Sequence, residues 1–193
     1  MSSFTPVPTV PGLQCVHQGK VRDTYSIPGH HEHLLVVATD RVSTHNKVHL
    51  TQIPGKGQAL TALTVYWMAE ILQGIKTHLV AYGRSIYRFL PDGTYPADLH
   101  LRAVIVRRLT MFPVEFIFRS RMAGSLWKDY YSKSLPEPYG LELPVGLELM
   151  APFADTMFTP TDKSETDDPL DAITTATHYS DAFFLALQAY EMG

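Results

Sequence analysis

Cysteine is nearly absent: Cys15 is the single one among 193 residues. An internal disulfide framework is thereby excluded, and with no Cys/His spacing of the structural-zinc kind the chain fits a reducing compartment. Long apolar runs are also missing. The longest, Leu34–Ala38 and Ala182–Leu187, fall far short of the roughly 20 residues that cross a bilayer as a helix. The N-terminus carries Pro6, Pro8 and Pro11 and no basic residue before Lys20, unlike a secretory signal. The expectation is a soluble cytoplasmic protein with no membrane partner. Charge is sparse, with 16 basic and 19 acidic residues making up 18% of the chain against about 25% in an average domain. The net charge of −3 is spread without runs, so no footprint for nucleic acid is visible. What the chain has is apolar matter, 45% hydrophobic and 11% aromatic, enough for a sizeable core in one domain or two small lobes.

The patterning predicts an α+β protein. Leu13 to Ile27 reads as an extended arm containing Gly19, joined through Pro28-Gly29-His30-His31 to a strand at Leu34–Ala38. Leu60, Leu63, Trp67, Met68, Ile71 and Leu72 recur at helical spacing up to Gly74, predicting an amphipathic helix whose Trp67 and Met68 face the core. Ser85–Leu90 and Leu101–Leu109, separated by the Pro91-Asp92-Gly93 turn, predict further antiparallel strands. Residues 1–112 form the first lobe in this reading and 113–193 the second. The second opens on a strand through Val114, Phe116 and Phe118. A helix capped by Gly124-Ser125 follows, then an unpatterned stretch from Pro136 to Asp171, then a helix from Ser180 through Tyr190. A stretch that long without periodicity reads as functional loop.

Several short constellations carry chemistry, each with a plainer reading beside it. Gly19-Lys20-Val21-Arg22-Asp23 combines a glycine that admits a ligand to the backbone with two cations suited to nucleotide phosphates. It also reads as a strand of solvated charges. Thr39-Asp40-Arg41-Val42-Ser43 emerges from a strand end where ligands are met, or caps a turn. Ile53-Pro54-Gly55-Lys56-Gly57 sets a cation at a helix N-terminus that attracts anions, or merely begins the helix. Arg119, Arg121, Gly124 and Ser125 suit a phosphate monoester, or pair with Glu115 or Asp129 on the surface. Phe158 to Glu165 with Asp167-Asp168 gathers hydroxyls, a lysine and carboxylates, or is a solvated loop. His30, His31 and His33 lack the carboxylate or cysteine partner of a metal site.

In order and spacing these segments resemble the SAICAR synthetase family. GKVRDxY stands at Gly19–Tyr25, SDRIS at Thr39–Ser43 and IPxKG at Ile53–Gly57. The P(L/V)E and VVR pieces stand at Pro113–Arg119, AGS at Ala123–Ser125 and FTPTTKxE at Phe158–Glu165. The resemblance implies a two-lobed α+β fold with an antiparallel N-terminal sheet and an abbreviated ATP-grasp-like second lobe, nucleotide lying between the lobes. It implies ATP-dependent ligation of L-aspartate to the carboxylate of a phosphoribosyl aminoimidazole, with Mg2+. Gly19, Lys20, Val21 and Arg22 would hold ATP phosphates, and Arg107 and Leu109 the adenine. Asp40, Arg41 and Ser43 would border the imidazole and its carboxylate; Arg119, Gly124 and Ser125 would hold the ribose phosphate; Lys163 and Glu165 would be catalytic, near the aspartate or the reacting carboxylate. The sequence departs from the family at Asn46, where an acidic residue is usual, and at Asp167-Asp168, where a His-Asp pair is usual. It stops before the DxKxEFG-like segment in which the resemblance places magnesium ligands. Three rival readings follow: a nucleotide or ribose-phosphate binding module, a half completed by a second copy or another chain, and a ligase for a different heterocyclic acid.

Overall fold

The computed structural model describes residues 10–44, 47–132, 137–164 and 166–192; Asn46 and Glu165 lie outside them. The chain divides into two compact units, Met1–Thr110 and Met111–Gly193. The first is built on strands β1 (Cys15–Gln18), β2 (Arg22–Ser26), β3 (His33–Ala38), β4 (Arg41–Thr44) and β5 (Lys47–Gln52), helix α1 (Lys56–Tyr66), β6 (Leu79–Tyr82), a short helix α2 (Leu99–Arg102) and β7 (Ala103–Arg107). Five strands form one antiparallel sheet in the order β1-β2-β3-β7-β6, while β4 and β5 form a separate ribbon.

Alternation assigns the two faces of that sheet. Tyr25, Leu35, Val37, Ala81, Ala103 and Ile105 point to one side and join Val10, Leu13, Ile27, Ile86, Leu90 and Leu99 in the core. The other face presents Arg22, Val36, Ala38, Val104 and Val106, and α1 lies over it. The start of α1 approaches the end of β3 so closely that a Cβ on Gly57 would stand 2.5 Å from the Ala38 carbonyl oxygen.

The second unit contains β8 (Val114–Glu115), β9 (Phe118–Arg121), α3 (Gly124–Trp127), β10 (Pro152–Phe158), β11 (Thr161–Asp162), α4 (Ala172–His178) and α5 (Ser180–Glu191). β10 pairs with β9 and β11 with β8, both antiparallel. Aromatic rings hold α5 to these strands: Phe183 meets Phe158 edge-on at 4.9 Å, and Tyr190 lies 5.5 Å from Phe118. A second cluster of Met122, Leu126 and Tyr139 is covered by Leu141, Leu143, Leu147 and Phe153. No helix among the described residues is long and apolar enough to cross a membrane.

The structure corrects several sequence expectations. Gly19 is at a turn joining β1 to β2, so two hairpins replace the single one expected. Residues 83–88 form a 3-10 turn, since the strand partner of β7 comes earlier, at Leu79–Tyr82. The strand expected through Val114, Phe116 and Phe118 is broken into β8 and β9. The stretch called unpatterned contains β10, and Asp171 caps the unanticipated α4 by accepting from the Thr174 N–H at 2.7 Å. Trp67 is 42% exposed rather than in the core. Gly57→Ala is expected to lower stability by ~1–3 kcal/mol despite the better helix propensity of alanine, because backbone must move to admit the methyl; urea denaturation measures it, and a neutral or stabilising result would contradict the close approach.

Candidate functional sites

In the first unit the turn between β1 and β2 is closed by the Gly19 N–H donating to the Arg22 carbonyl at 2.8 Å. Beneath it lies a buried ion pair. Arg41, 5% exposed, donates to both carboxylate oxygens of fully buried Asp23, at 2.6 and 3.1 Å. The same guanidinium donates to the carbonyls of Gly19, at 2.9 Å, and Lys20, at 3.2 Å. Thr39 adds its N–H and hydroxyl to the Val21 carbonyl, at 3.0 and 2.9 Å. Two sequence motifs 18 residues apart are thus one piece of structure.

Asp40 turns the opposite way. Its carboxylate accepts from the N–H groups of Gly55 and Gly57, at 3.2 and 2.8 Å, and Arg102 lies 3.8 Å from it. The anion held by the α1 N-terminus is therefore the chain's own. For Asp40 and Arg41 the turn-capping reading describes the geometry: both side chains have partners inside the unit instead of facing an open site. Ser43 is half-buried on β4.

On the sheet face under α1 is a cavity of about 170 Å3 lined by Arg22, Val36, Ala38, Val104 and Val106 below and Leu60, Thr61, Thr64 and Met68 above, with His78 beside them. The register makes it: Arg22 pairs with Ala38 and Val36 with Val104, which sets their side chains in neighbouring rows on one face of the sheet. Pockets for drug-sized ligands span roughly 300–1,000 Å3; this one has room for a ring and not for a whole nucleotide. Arg107 and Leu109 are elsewhere, around a shallow depression of about 340 Å3 with His31, Glu32, His33 and Arg108. Backbone N–H groups of Arg107 and Arg108 donate to the carbonyls of His78 and Glu32 at 2.9 and 2.7 Å. Sequence reading passed over Thr61, Thr64 and His78; the only signal was a pair of hydroxyls one helical turn apart on a helix otherwise read from its leucines.

In the second unit Arg119 is the centre. Its Nε donates to the Thr159 hydroxyl at 2.9 Å, Nη1 to the Ala123 carbonyl at 3.1 Å and Nη2 to Ser125 Oγ at 2.8 Å. Gly124 has φ +63° and a Cβ there would stand 3.0 Å from Arg119 Nη1, so two constraints favour glycine. Arg119, Gly124 and Ser125 are brought together, with buried Thr159, from the Phe158–Glu165 segment, as a fourth member that the sequence did not connect to them. Lys163 pairs instead with Glu115 at 3.3 Å, both half exposed. Asp162 accepts from the Ser164 hydroxyl and N–H, at 2.7 and 3.1 Å, and from the Asp168 N–H at 2.9 Å; these bonds, the Ser164 hydroxyl foremost, hold its carboxyl below the ordinary range.

Burial, and then the neighbouring Arg22 guanidinium, push the His78 imidazole below its ordinary pKa. Between that lowered value and the ordinary value of about 6.5 the unfolded chain binds more protons, so stability from this group is lost as pH falls through the window. His78 is expected to titrate below an unperturbed histidine by NMR, and Arg22→Gln to move its midpoint upward while leaving it depressed by burial; an unmoved midpoint would remove Arg22 as a cause.

Over residues 15–189 the sequence matches the family described as SAICAR synthetase. It is 38% identical over 160 residues to phosphoribosylaminoimidazole-succinocarboxamide synthase of Desulfotalea psychrophila, covering 82% of this chain and 52% of that protein. The solved SAICAR synthase of Saccharomyces cerevisiae, complexed with SAICAR, shares the fold at TM-score 0.81 and 30% identity, over 98% of this chain and 64% of that one. A type-2 SAICAR synthetase structure in complex with ADP shares the fold at TM-score 0.59 and 23% identity, over 91% of this chain and 65% of that one. The chain spans about half the length of the curated relatives it matches.

Proposed function

Because the chain belongs to the SAICAR synthetase family, we propose that it serves ATP-dependent ligation of L-aspartate to the carboxylate of 5-amino-1-(5-phosphoribosyl)imidazole-4-carboxylate, forming SAICAR in purine biosynthesis. The observation that carries this reading is the ring-sized cavity with Arg22 on its wall and, at the start of the same strand, the Gly19–Lys20 turn. A base would lie against Val36, Val104 and Val106, and its phosphates would meet Lys20, Arg22 and the turn. Arg107 and Leu109, outside that cavity, would contribute only through a ligand edge reaching their depression.

A carboxylate is a poor electrophile. Its oxygen must take up a phosphoryl group before an amine can displace phosphate, and transfer between anions needs positioned cations. In the second unit Arg119, with Ser125 and the bare backbone of Gly124, would hold the ribose phosphate. Ser43 would border the imidazole, while Asp40 and Arg41 would act through the elements they tie. Lys163 and Glu165 would attend the aspartate, Lys163 after leaving Glu115. This second unit is the part of the reading that corresponds to an ATP-grasp-like lobe. Among the described residues no group of three or more histidine, cysteine or carboxylate side chains could hold a metal ion; Mg2+ commonly takes only one or two carboxylates together with phosphate oxygens and water, so here it would enter with the nucleotide phosphates, and no residue or step is assigned to it.

Phosphate release in the presence of ATP, Mg2+, aspartate and the aminoimidazole carboxylate tests the ligase, alongside ligand-induced thermal shifts. Turnover supports it; a shift without turnover favours a binding module. Lys20→Ala is expected to abolish the ATP-induced shift, and an unchanged shift would take Lys20 out of the nucleotide site. Arg119→Ala is expected to weaken the phosphoribosyl ligand by ~2–4 kcal/mol through loss of charged hydrogen bonds, with calorimetric titration as the measure and unaltered affinity as the refutation.

A further inference from the structure

We propose that Arg41, held by Asp23, is a positioning residue for nucleotide phosphate: it orients two successive peptide groups of the β1–β2 turn so that their N–H groups face outward. The inference rests on the nucleotide reading above and assigns the device that prepares the turn for it. Arg41 donates to the carbonyl oxygens of Gly19 and Lys20 from inside the unit. In a trans peptide the N–H points opposite to the C=O, and every peptide here is trans. With both carbonyls drawn toward the guanidinium, the N–H groups of Lys20 and Val21 are directed to the other side. Two consecutive N–H groups so disposed form a concavity that attracts an anion. No acceptor among the described residues receives the Val21 N–H.

Geometry separates this role from a general structural one. Only a planar fork with several fixed donors can bind a carboxylate with two of them and reach two neighbouring carbonyls with the rest. Lysine would keep the charge and lose the fork. At 5% exposure, Arg41 does not itself meet a ligand, so its effect on binding has to travel through the turn. The nucleoside, lying on the sheet face against Val36 and Val104, is not in contact with the groups Arg41 orients. The device therefore acts on phosphate affinity and leaves base affinity alone.

Titration of the full chain with ADP and with adenosine tests this, using wild type, Arg41→Lys and Asp23→Asn, each checked by thermal melting. Wild type is expected to bind ADP more tightly than adenosine. The variants are expected to lose about tenfold or more in ADP affinity, the scale of one charged hydrogen bond, with adenosine affinity held within about twofold. Methylguanidinium added to Arg41→Ala is expected to recover part of the ADP affinity. Equal loss for both ligands, or no loss for ADP in a folded variant, overturns the positioning role while the nucleotide reading stands. Wild type binding adenosine as well as ADP also overturns it, and leaves a base site only. Wild type binding neither ligand overturns the nucleotide reading itself. Should the variants not fold, NMR of the wild type decides: the Val21 amide is expected to shift with ADP and not with adenosine, and an amide indifferent to both refutes the proposal.

Discussion

A carboxylate and a guanidinium sealed from water, Asp23 and Arg41, govern how the first unit can be built. Taking both ions out of water costs several kcal/mol each, and their attraction offsets that only with good geometry and with the remaining donors satisfied. Here the fork is bidentate on the carboxylate, and its remaining contacts are carbonyls of a turn. Removing either partner would strand the other, at a cost of about 3–5 kcal/mol. An apolar pair could fill the same volume, but the carbonyls of Gly19 and Lys20 would then lose the donors that orient them. Stability alone gives no reason to keep an ion pair here; the shape of the turn does.

Asp40 and Arg41 are adjacent and work in opposite directions. Asp40, at the bend between β3 and β4, sends its side chain to the start of α1, and Arg41, the first residue of β4, sends its own to the β1–β2 turn. Helix, ribbon and hairpin are consequently fixed to one another within a few residues. The seating of α1 then decides what lies beneath it. Its contact with the sheet is made close by Gly57 at one end, whereas farther along Thr61 and Thr64 offer short polar side chains. Short side chains opposite Val36 and Val104 cannot fill the space between helix and sheet, so the cavity is a consequence of the packing. Thr64 also gives its hydroxyl to the Leu60 carbonyl at 2.9 Å, which satisfies that donor within the helix.

Much of this was legible in the chain. Runs of β-branched and leucine residues marked β3 and β7, helical spacing marked α1 and α5, and the order of short motifs indicated the family. What escaped depends on pairing that is distant in sequence. Whether Gly19 sits in an arm or a turn is decided by the Gln18–Asp23 register, which no local pattern encodes. Asp40 and Arg41 read equally as ligand groups or caps until the hydrogen-bond partners of their side chains, 15 to 22 residues away, are known. β10 is hidden because its exposed positions are Pro152, Ala154, Asp155 and Thr156, a composition that reads as loop and breaks the alternation of a strand, and its pairing to β9 is interrupted by an irregular register. Trp67 reads as core-facing but is 42% exposed, because periodicity reports which side of a helix is apolar and is silent on whether the opposite surface touches it.

The two central arginines show why residue type alone could not rank the candidate sites. A guanidinium carries five N–H donors. Arg41 makes four hydrogen bonds within its unit and is buried, so the side chain is committed as a brace. Arg119 makes three, to Thr159, Ala123 and Ser125, and is half-buried. Those three bonds fix the plane of the fork against β9 and α3 while leaving donors uncommitted, which is the condition for meeting a phosphate without first reorganising. Of two motif arginines that look alike in sequence, one is suited to shape a binding surface from behind and the other to be part of one.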